Sequence, residues 1–307
     1  MKNLLLILMV MLVAGSVFSQ GDPHYSMYMF NKLAINPAYA GSRDALTLTG
    51  HYRNQWEGID GAPKTFTFAG HAPFFKNRVG VGLSLISDKI GMVNTTYVDM
   101  SYAYRIKVSD EAKLAIGLQG QLDFGRIDWS KADPLDGGDQ RFSEGRETRL
   151  NPNFGLGVYY QHEKYYIGAS VPRILKTSIY DKDARSQSVS INSLRSYYLM
   201  GGFVSRVGEN VKFQPGALVS INPNAPFEFD LNASFVFMDA LWVGASYRLG
   251  DSFDFILQYR FNQQLKAAIA ADLTLTELNN YSPGSFELML EYTLQFDGAK
   301  YNNIRYF

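Results

Sequence analysis

Acidic side chains near the middle of the chain suggest one kind of chemistry, the binding of a hard cation. Asp133, Asp136 and Asp139 recur at every third position, and Glu144 follows them. Calcium loops between paired helices place their acidic ligands at every second position instead, and no helix pair is evident around this stretch. The spacing therefore favours a solvated loop over a calcium site.

Histidine, glycine and serine residues do not form a known catalytic pattern. The four histidines fall in separate segments without a His-x-x-x-His pair, which predicts no shared metal ion. They are His24, His51, His71 and His162. The Gly-x-Gly runs that begin at Gly80 and Gly155 lack the lysine or the helix of a phosphate-binding loop. No serine lies in a Gly-x-Ser-x-Gly elbow. We expect no catalytic, cofactor-binding or metal-binding residues. We also expect that the protein is not an enzyme.

Short stretches of alternating apolar and polar residues recur from residue 43 onwards. In the last of them, Phe286, Leu288 and Leu290 share one face, while Glu287 and Glu291 share the other. A membrane barrel turns the apolar face to lipid and the polar face to its interior. We predict an all-β fold, a transmembrane antiparallel β-barrel of about 14 strands in the bacterial outer membrane. The strands are predicted at 43–53, 63–74, 78–87, 94–107, 112–125, 152–161, 164–174, 194–206, 211–221, 226–238, 240–249, 252–261, 264–275 and 285–297.

Charged residues accumulate on the face that this pattern turns inward. They are Arg53, Asp123, Glu228, Asp230, Arg260, Lys266, Asp272, Glu287 and Glu291. Two carboxylates can perform acid–base catalysis, but a barrel interior favours a salt-bridged core or the lining of a narrow aqueous path.

The lengths of the connections give an orientation. Connections after even-numbered strands are short, whereas those after most odd-numbered strands are longer, reaching 126–151 and 175–193. Bacterial barrels have short periplasmic turns and longer external loops. The first strand is therefore expected to start on the periplasmic side.

Three regions are expected along the chain: a signal peptide at 1–19, a segment at 20–42, and the barrel at 43–307. Lys2 and the apolar run that follows it are typical of an export signal. Lys and Arg total 29, as do Asp and Glu, so no basic excess favours nucleic acid. The absence of cysteine excludes disulfides and thiolate metal sites.

Segment 20–42 mixes apolar and aromatic residues at partly helical spacing, which Asn36-Pro37 interrupts. Because about 14 strands leave an interior wider than side chains fill, we expect this segment to fold up from the periplasmic side into the lumen as a plug. The alternative is an amphipathic segment beneath the barrel or on the inner leaflet. Candidate plug or partner-binding residues are Tyr28, Asn31, Asn36, Pro37, Tyr39 and Gly41.

The same segment carries a family resemblance. Asp-Pro-x-Tyr at 22–25, Tyr-Met-Phe-Asn at 28–31 and Asn-Pro-Ala-Tyr-Ala-Gly-Ser at 36–42 resemble the start of PorP/SprF family membrane proteins of the type IX secretion system. The ending Arg-Tyr-Phe at 305–307 is similar to that family's close, although Ile304 stands where the family usually has proline. Either the last strand lies nearer to this ending than 285–297, or 298–307 is a periplasmic tail.

The resemblance implies an outer-membrane barrel that helps to secrete large surface proteins or holds them at the cell surface, including adhesins in gliding motility. It implies as partners a secreted protein with a C-terminal sorting domain, periplasmic or outer-membrane secretion components, and the lipid bilayer. The cargo would meet the long loops 126–151 and 175–193. The residue pattern alone leaves an alternative open, an outer-membrane channel or transporter for small, even apolar, molecules.

Overall fold

The computed structural model describes residues 24–129, 146–175, 177–178, 192–193, 195–223 and 225–294. The predicted signal peptide, the acidic positions Asp133, Asp136, Asp139 and Glu144, and the C-terminal stretch 298–307 lie outside these residues. Within the described ranges, no helix has the length and apolar character needed to cross a membrane.

The alternating stretches form antiparallel strands that close into one barrel. Their bounds are β1 (Leu46–Asn54), β2 (Lys64–Phe74), β3 (Val79–Ile90), β4 (Val93–Lys107), β5 (Ala112–Asp128), β6 (Arg146–His162), β7 (Tyr165–Val171), β8 (Thr177–Ser178), β9 (Asn192–Ser193), β10 (Tyr197–Phe203), β11 (Ser205–Arg206), β12 (Val211–Ile221), β13 (Glu228–Phe237), β14 (Leu241–Arg248), β15 (Ser252–Arg260), β16 (Leu265–Thr274) and β17 (Ser285–Leu294). The short strands β8 and β9 pair only with each other.

The barrel strands pair in chain order, and the ends of the sheet join. Strands β10 and β11 follow each other and both pair with β12, so that together they count as one barrel strand. Pairing of β1 with β17, for example Thr49 opposite Glu291, closes the sheet. The result is a closed barrel of 14 strands. This confirms the predicted fold class.

The two faces of the strands are those that the sequence pattern predicts. The outward Leu231 and Leu257 are 50% and 42% exposed, whereas their polar neighbours Asp230 and Gln258 are 4% and 3% exposed. An apolar outer wall around a polar interior is typical of a barrel that lies in lipid. The large apolar side chains of this wall lose contact with water only when a bilayer surrounds them.

The connections divide the barrel into two ends. We call one the short-connection end, which carries 75–78, 108–111, 163–164, 207–210, 238–240 and 261–264. We call the other the long-connection end. It carries 55–63, 91–92, 129–145, 172–196, 222–227, 249–251 and 275–284, the last with a 3-10 helix at Glu277–Asn280. Strand β1 starts at the short-connection end, because Thr47 pairs with His71 near the end of β2.

Candidate functional site

Residues 24–45, which we call the N-terminal segment, contain three single-turn 3-10 helices. They span Tyr28–Phe30, Lys32–Ala34 and Pro37–Tyr39. The third begins where the sequence predicts a break, because the Asn36 side chain accepts a hydrogen bond from the Ala38 N–H (2.9 Å) and proline occupies the first helical position. Most side chains from Tyr25 to Ser42 are buried.

The beginning of the N-terminal segment binds to charged groups of β1 and β17. The carboxylate of Glu287 accepts hydrogen bonds from the backbone N–H groups of Ser26 (2.6 Å) and Met27 (3.0 Å). Arg53 donates to the Ser26 hydroxyl (2.8 Å), pairs with Glu287, and lies 3.1 Å from an oxygen of Asp272. Because hydrogen bonds to ionised groups are stronger than neutral ones, this group of side chains fixes the position of residues 26 and 27.

Aromatic and amide side chains hold the middle of the N-terminal segment. Asn232 of β13 donates a hydrogen bond to the Tyr28 hydroxyl. The Lys32 ammonium donates to the Met29 carbonyl (2.8 Å) and lies 4.6 Å from the centre of the Tyr166 ring, within range of a cation–π contact. These contacts reach β13 and β7, which are separated by β12 and β10 in the sheet.

The Asn-Pro turn packs directly on the barrel backbone. The Asn36 amide donates to the carbonyl oxygens of Val158 (3.0 Å) and Ala169 (3.4 Å). This close approach requires glycine on the wall: a β-carbon built on Gly117 would lie 2.5 Å from Ala38 Cα, and one on Gly157 would lie 3.0 Å from Asn36 Cγ. The Gly-x-Gly run at 155–157 therefore leaves room for the N-terminal segment.

The end of the N-terminal segment is held at the start of β1. Gly41 has φ of 72°, a conformation that favours glycine, and its N–H donates to Nδ1 of His71 (3.1 Å). Arg105 donates to the Gly41 carbonyl and forms an ion pair with Asp44 (2.9 Å). Lys113 pairs with the same carboxylate (2.8 Å). Charged groups thus bind both ends of the N-terminal segment.

The structure places all the candidate plug or partner-binding residues in this segment, and all are buried: Tyr28, Asn31, Asn36, Pro37, Tyr39 and Gly41. Tyr39 accepts a hydrogen bond from Arg43 (2.9 Å) and packs edge-on against the Tyr159 ring. The sequence pattern identified Arg53 and Glu287 only as inward-facing charges. It gave no sign that Arg105 contacts the segment, since period-two alternation predicts a face but not a partner.

The four histidines are not brought together. His24 lies 3.0 Å from Glu228, His51 lies 3.0 Å from Glu287, and His162 lies 3.2 Å from Glu111. His71 accepts from Gly41 instead. In the described part of the chain, no group of three or more His, Cys, Asp or Glu side chains is arranged to hold a metal ion.

The closed antiparallel sheet, with its apolar outer face and polar interior, defines an outer-membrane β-barrel. A family model described as "Type IX secretion system membrane protein PorP/SprF" matches residues 17–292. The chain therefore belongs to the PorP/SprF family. This family and this fold are those of a membrane barrel component, not of an enzyme. No curated protein matches the chain.

Solved structures of other barrels resemble this one at low sequence identity. A FadL homologue of Pseudomonas aeruginosa is 12% identical, with a TM-score of 0.52 over 92% of this chain and 96% of that one. The CymD monoaromatic hydrocarbon channel is 12% identical, with a TM-score of 0.49 over 91% and 95%. Omp33 of Acinetobacter baumannii is 10% identical, with a TM-score of 0.46 over 81% and 98%. At such identities, the likeness extends to the fold alone.

Proposed function

We propose that this protein assists the secretion of a large cargo protein, such as an adhesin, or attaches it to the cell surface. Family membership supports a role in type IX secretion. The cargo would carry a C-terminal sorting domain, and periplasmic or outer-membrane secretion components would be further partners. The observation that carries the proposal is the N-terminal segment, whose contacts with inward-facing groups favour a role in holding a partner over the passage of a solute.

In this proposal the N-terminal segment is a plug. Its contacts with β1, β17, β13 and β6 lie on different sides of the barrel, which supports a segment that fills the interior. Several inward-facing charges bind each other, for example Arg248 to Asp230 (2.9 Å) and Lys266 to Glu291 (2.6 Å). A salt-bridged interior of this kind supports a closed lumen.

The cargo would bind at the long-connection end. Because bacterial barrels have short periplasmic turns and longer external loops, this end would face the outside of the cell. The connections 129–145 and 172–196 are the longest at this end. The first contains Asp133, Asp136 and Arg141. Both signs of charge in one loop favour polar contacts and salt-sensitive binding.

An affinity purification of the tagged protein from detergent-solubilised outer membranes tests the proposal. Mass spectrometry of the co-purifying chains should identify one large surface protein or components of the secretion system. A variant with residues 131–143 replaced by a Gly/Ser linker should lose the cargo, while a matched replacement of the turn 108–111 should keep it. A barrel that is recovered alone, and that conducts in a planar bilayer, would contradict the proposal and favour the transport of small molecules.

A further inference from the structure

The order of contacts along the N-terminal segment gives it a direction. We infer that the segment crosses the whole barrel interior, from residue 24 at the long-connection end to the start of β1 at the short-connection end. The beginning of the segment then belongs to the outer, partner-facing surface. The assignment of this surface to a partner rests on the proposed function, but the crossing itself does not.

Residues 41–44 lie at the short-connection end. Gly41 binds His71, which lies near the end of β2, just ahead of the connection 75–78. Asp44 binds Arg105 near the end of β4 and Lys113 near the start of β5, on both sides of the connection 108–111. Contacts with three strands, β2, β4 and β5, therefore place the end of the N-terminal segment at the same height.

Residues 24–27 lie at the long-connection end. His24 lies 3.0 Å from Glu228, the first residue of β13, which follows the connection 222–227. Ser26 binds Glu287 near the start of β17, after the connection 275–284. It also binds Arg53, which precedes the connection 55–63. Contacts with β13, β17 and β1 therefore place the beginning of the segment at the long-connection end of the barrel.

The segment is long enough for this path. On β1, residues 47 and 53 lie near the two ends of the strand, and six residues of strand rise about 20 Å. The stretch from residue 26 to residue 44 can reach about 36 Å, even at the rise of roughly 2 Å per residue of a 3-10 helix. Its contacts at Asn36 with Val158 and at Tyr28 with Asn232 fall between the two ends.

The crossing has a consequence for assembly. Because the two ends of the segment lie at opposite ends of the barrel, the segment is either enclosed when β1 pairs with β17 and closes the sheet, or threaded into the closed barrel from the short-connection end. His24, at the beginning of the segment, lies beside Glu228 at the start of β13. It would then be within reach of a partner that approaches from outside.

Cysteine labelling in whole cells tests this inference, since the chain has no cysteine of its own. Three variants are compared: Gly21→Cys ahead of the segment, Asp136→Cys in a long connection, and Asp110→Cys in the turn between β4 and β5. Each is treated with a membrane-impermeant maleimide on intact cells and again after permeabilisation of the outer membrane. Folding of each variant is checked by its heat-modifiable migration in gels.

We expect Gly21→Cys to be labelled on intact cells together with Asp136→Cys, and Asp110→Cys only after permeabilisation. Labelling of Gly21→Cys only after permeabilisation, together with Asp110→Cys, would overturn the crossing. Labelling of Asp110→Cys alone on intact cells would overturn the outward placement of the long connections. None of these results depends on a cargo, so the inference and the proposed function can fail separately.

Discussion

The substitution Gly117→Ala tests whether the wall of the barrel is shaped to receive the N-terminal segment. A β-carbon on Gly117 would lie 2.5 Å from Ala38 Cα and 2.5 Å from the Pro37 carbonyl carbon. Unstrained carbon–carbon contacts lie at about 3.5–4.0 Å. Because the facing atoms are backbone and cannot rotate away, the segment must move by about 1 Å.

This displacement sets the expected magnitude. Overpacking of a closely packed site costs about 1–3 kcal/mol. If the movement also breaks the hydrogen bond from Asn36 to the Val158 carbonyl, a further cost of about 1 kcal/mol is expected. The matched control is Gly120→Ala on the same strand, where a β-carbon would meet nothing within 4 Å. Its effect should stay within about 0.5 kcal/mol.

The assay is urea unfolding of both variants in lipid vesicles, followed by tryptophan fluorescence, together with limited proteolysis of the folded protein. Gly117→Ala should lower the free energy of unfolding relative to Gly120→Ala and should increase cleavage within residues 24–45. If the two variants unfold at the same urea concentration and are cleaved at the same rate, the segment does not rest on this wall as described.

Three further predictions concern the lipid face, the proposed plug and the charges at the long-connection end. Leu231→Arg or Leu257→Arg should cost roughly 2–4 kcal/mol of folding stability in vesicles if these residues lie near the bilayer midplane; a negligible change would mean that the faces are reversed. Deletion of residues 22–40 should leave a folded barrel with a higher single-channel conductance, whereas an unchanged conductance would rule out a plug. Arg53→Met should cost about 3–5 kcal/mol, because it leaves buried carboxylates without their cation. Adding Glu287→Met should recover part of that loss in the same unfolding assay, and no recovery would show that the ion pair is not the cause.

The strands could be predicted closely wherever one face meets lipid. Strand β13 is predicted at 226–238 and spans Glu228–Phe237, because apolar and polar residues alternate along its whole length. Strand β6 is predicted from residue 152 but starts at Arg146, opposite Asp128 of β5. The sequence Arg-Glu-Thr-Arg at 146–149 is polar throughout, so the alternation that predicts a strand is lost while the backbone pairing continues.

The candidate site could be predicted only in part. Asn36-Pro37 predicts a local break, and the structure shows the capped 3-10 helix that causes it. The wall that receives this turn could not be predicted, because Gly117 and Gly157 have no side chain to indicate a contact. Nor does the sequence pair Glu287 with Ser26, which lies 261 positions away. Such contacts depend on the height of each residue in the closed barrel, and strand periodicity carries no information about height.

The contacts at the two ends of the N-terminal segment fix its register as well as its position. A shift by one residue would take the N–H groups of Ser26 and Met27 away from Glu287, and would place a residue with a side chain where Gly41 adopts a positive φ beside His71. Buried ion pairs contribute more to orientation than to net stability, which suits a segment that must hold one place. Contacts at both ends also fix the position of His24 beside Glu228. In the proposed function, a segment whose beginning is fixed in this way suits a surface that holds a partner in one orientation, and a segment bound along its length is poorly suited to opening for each passing solute.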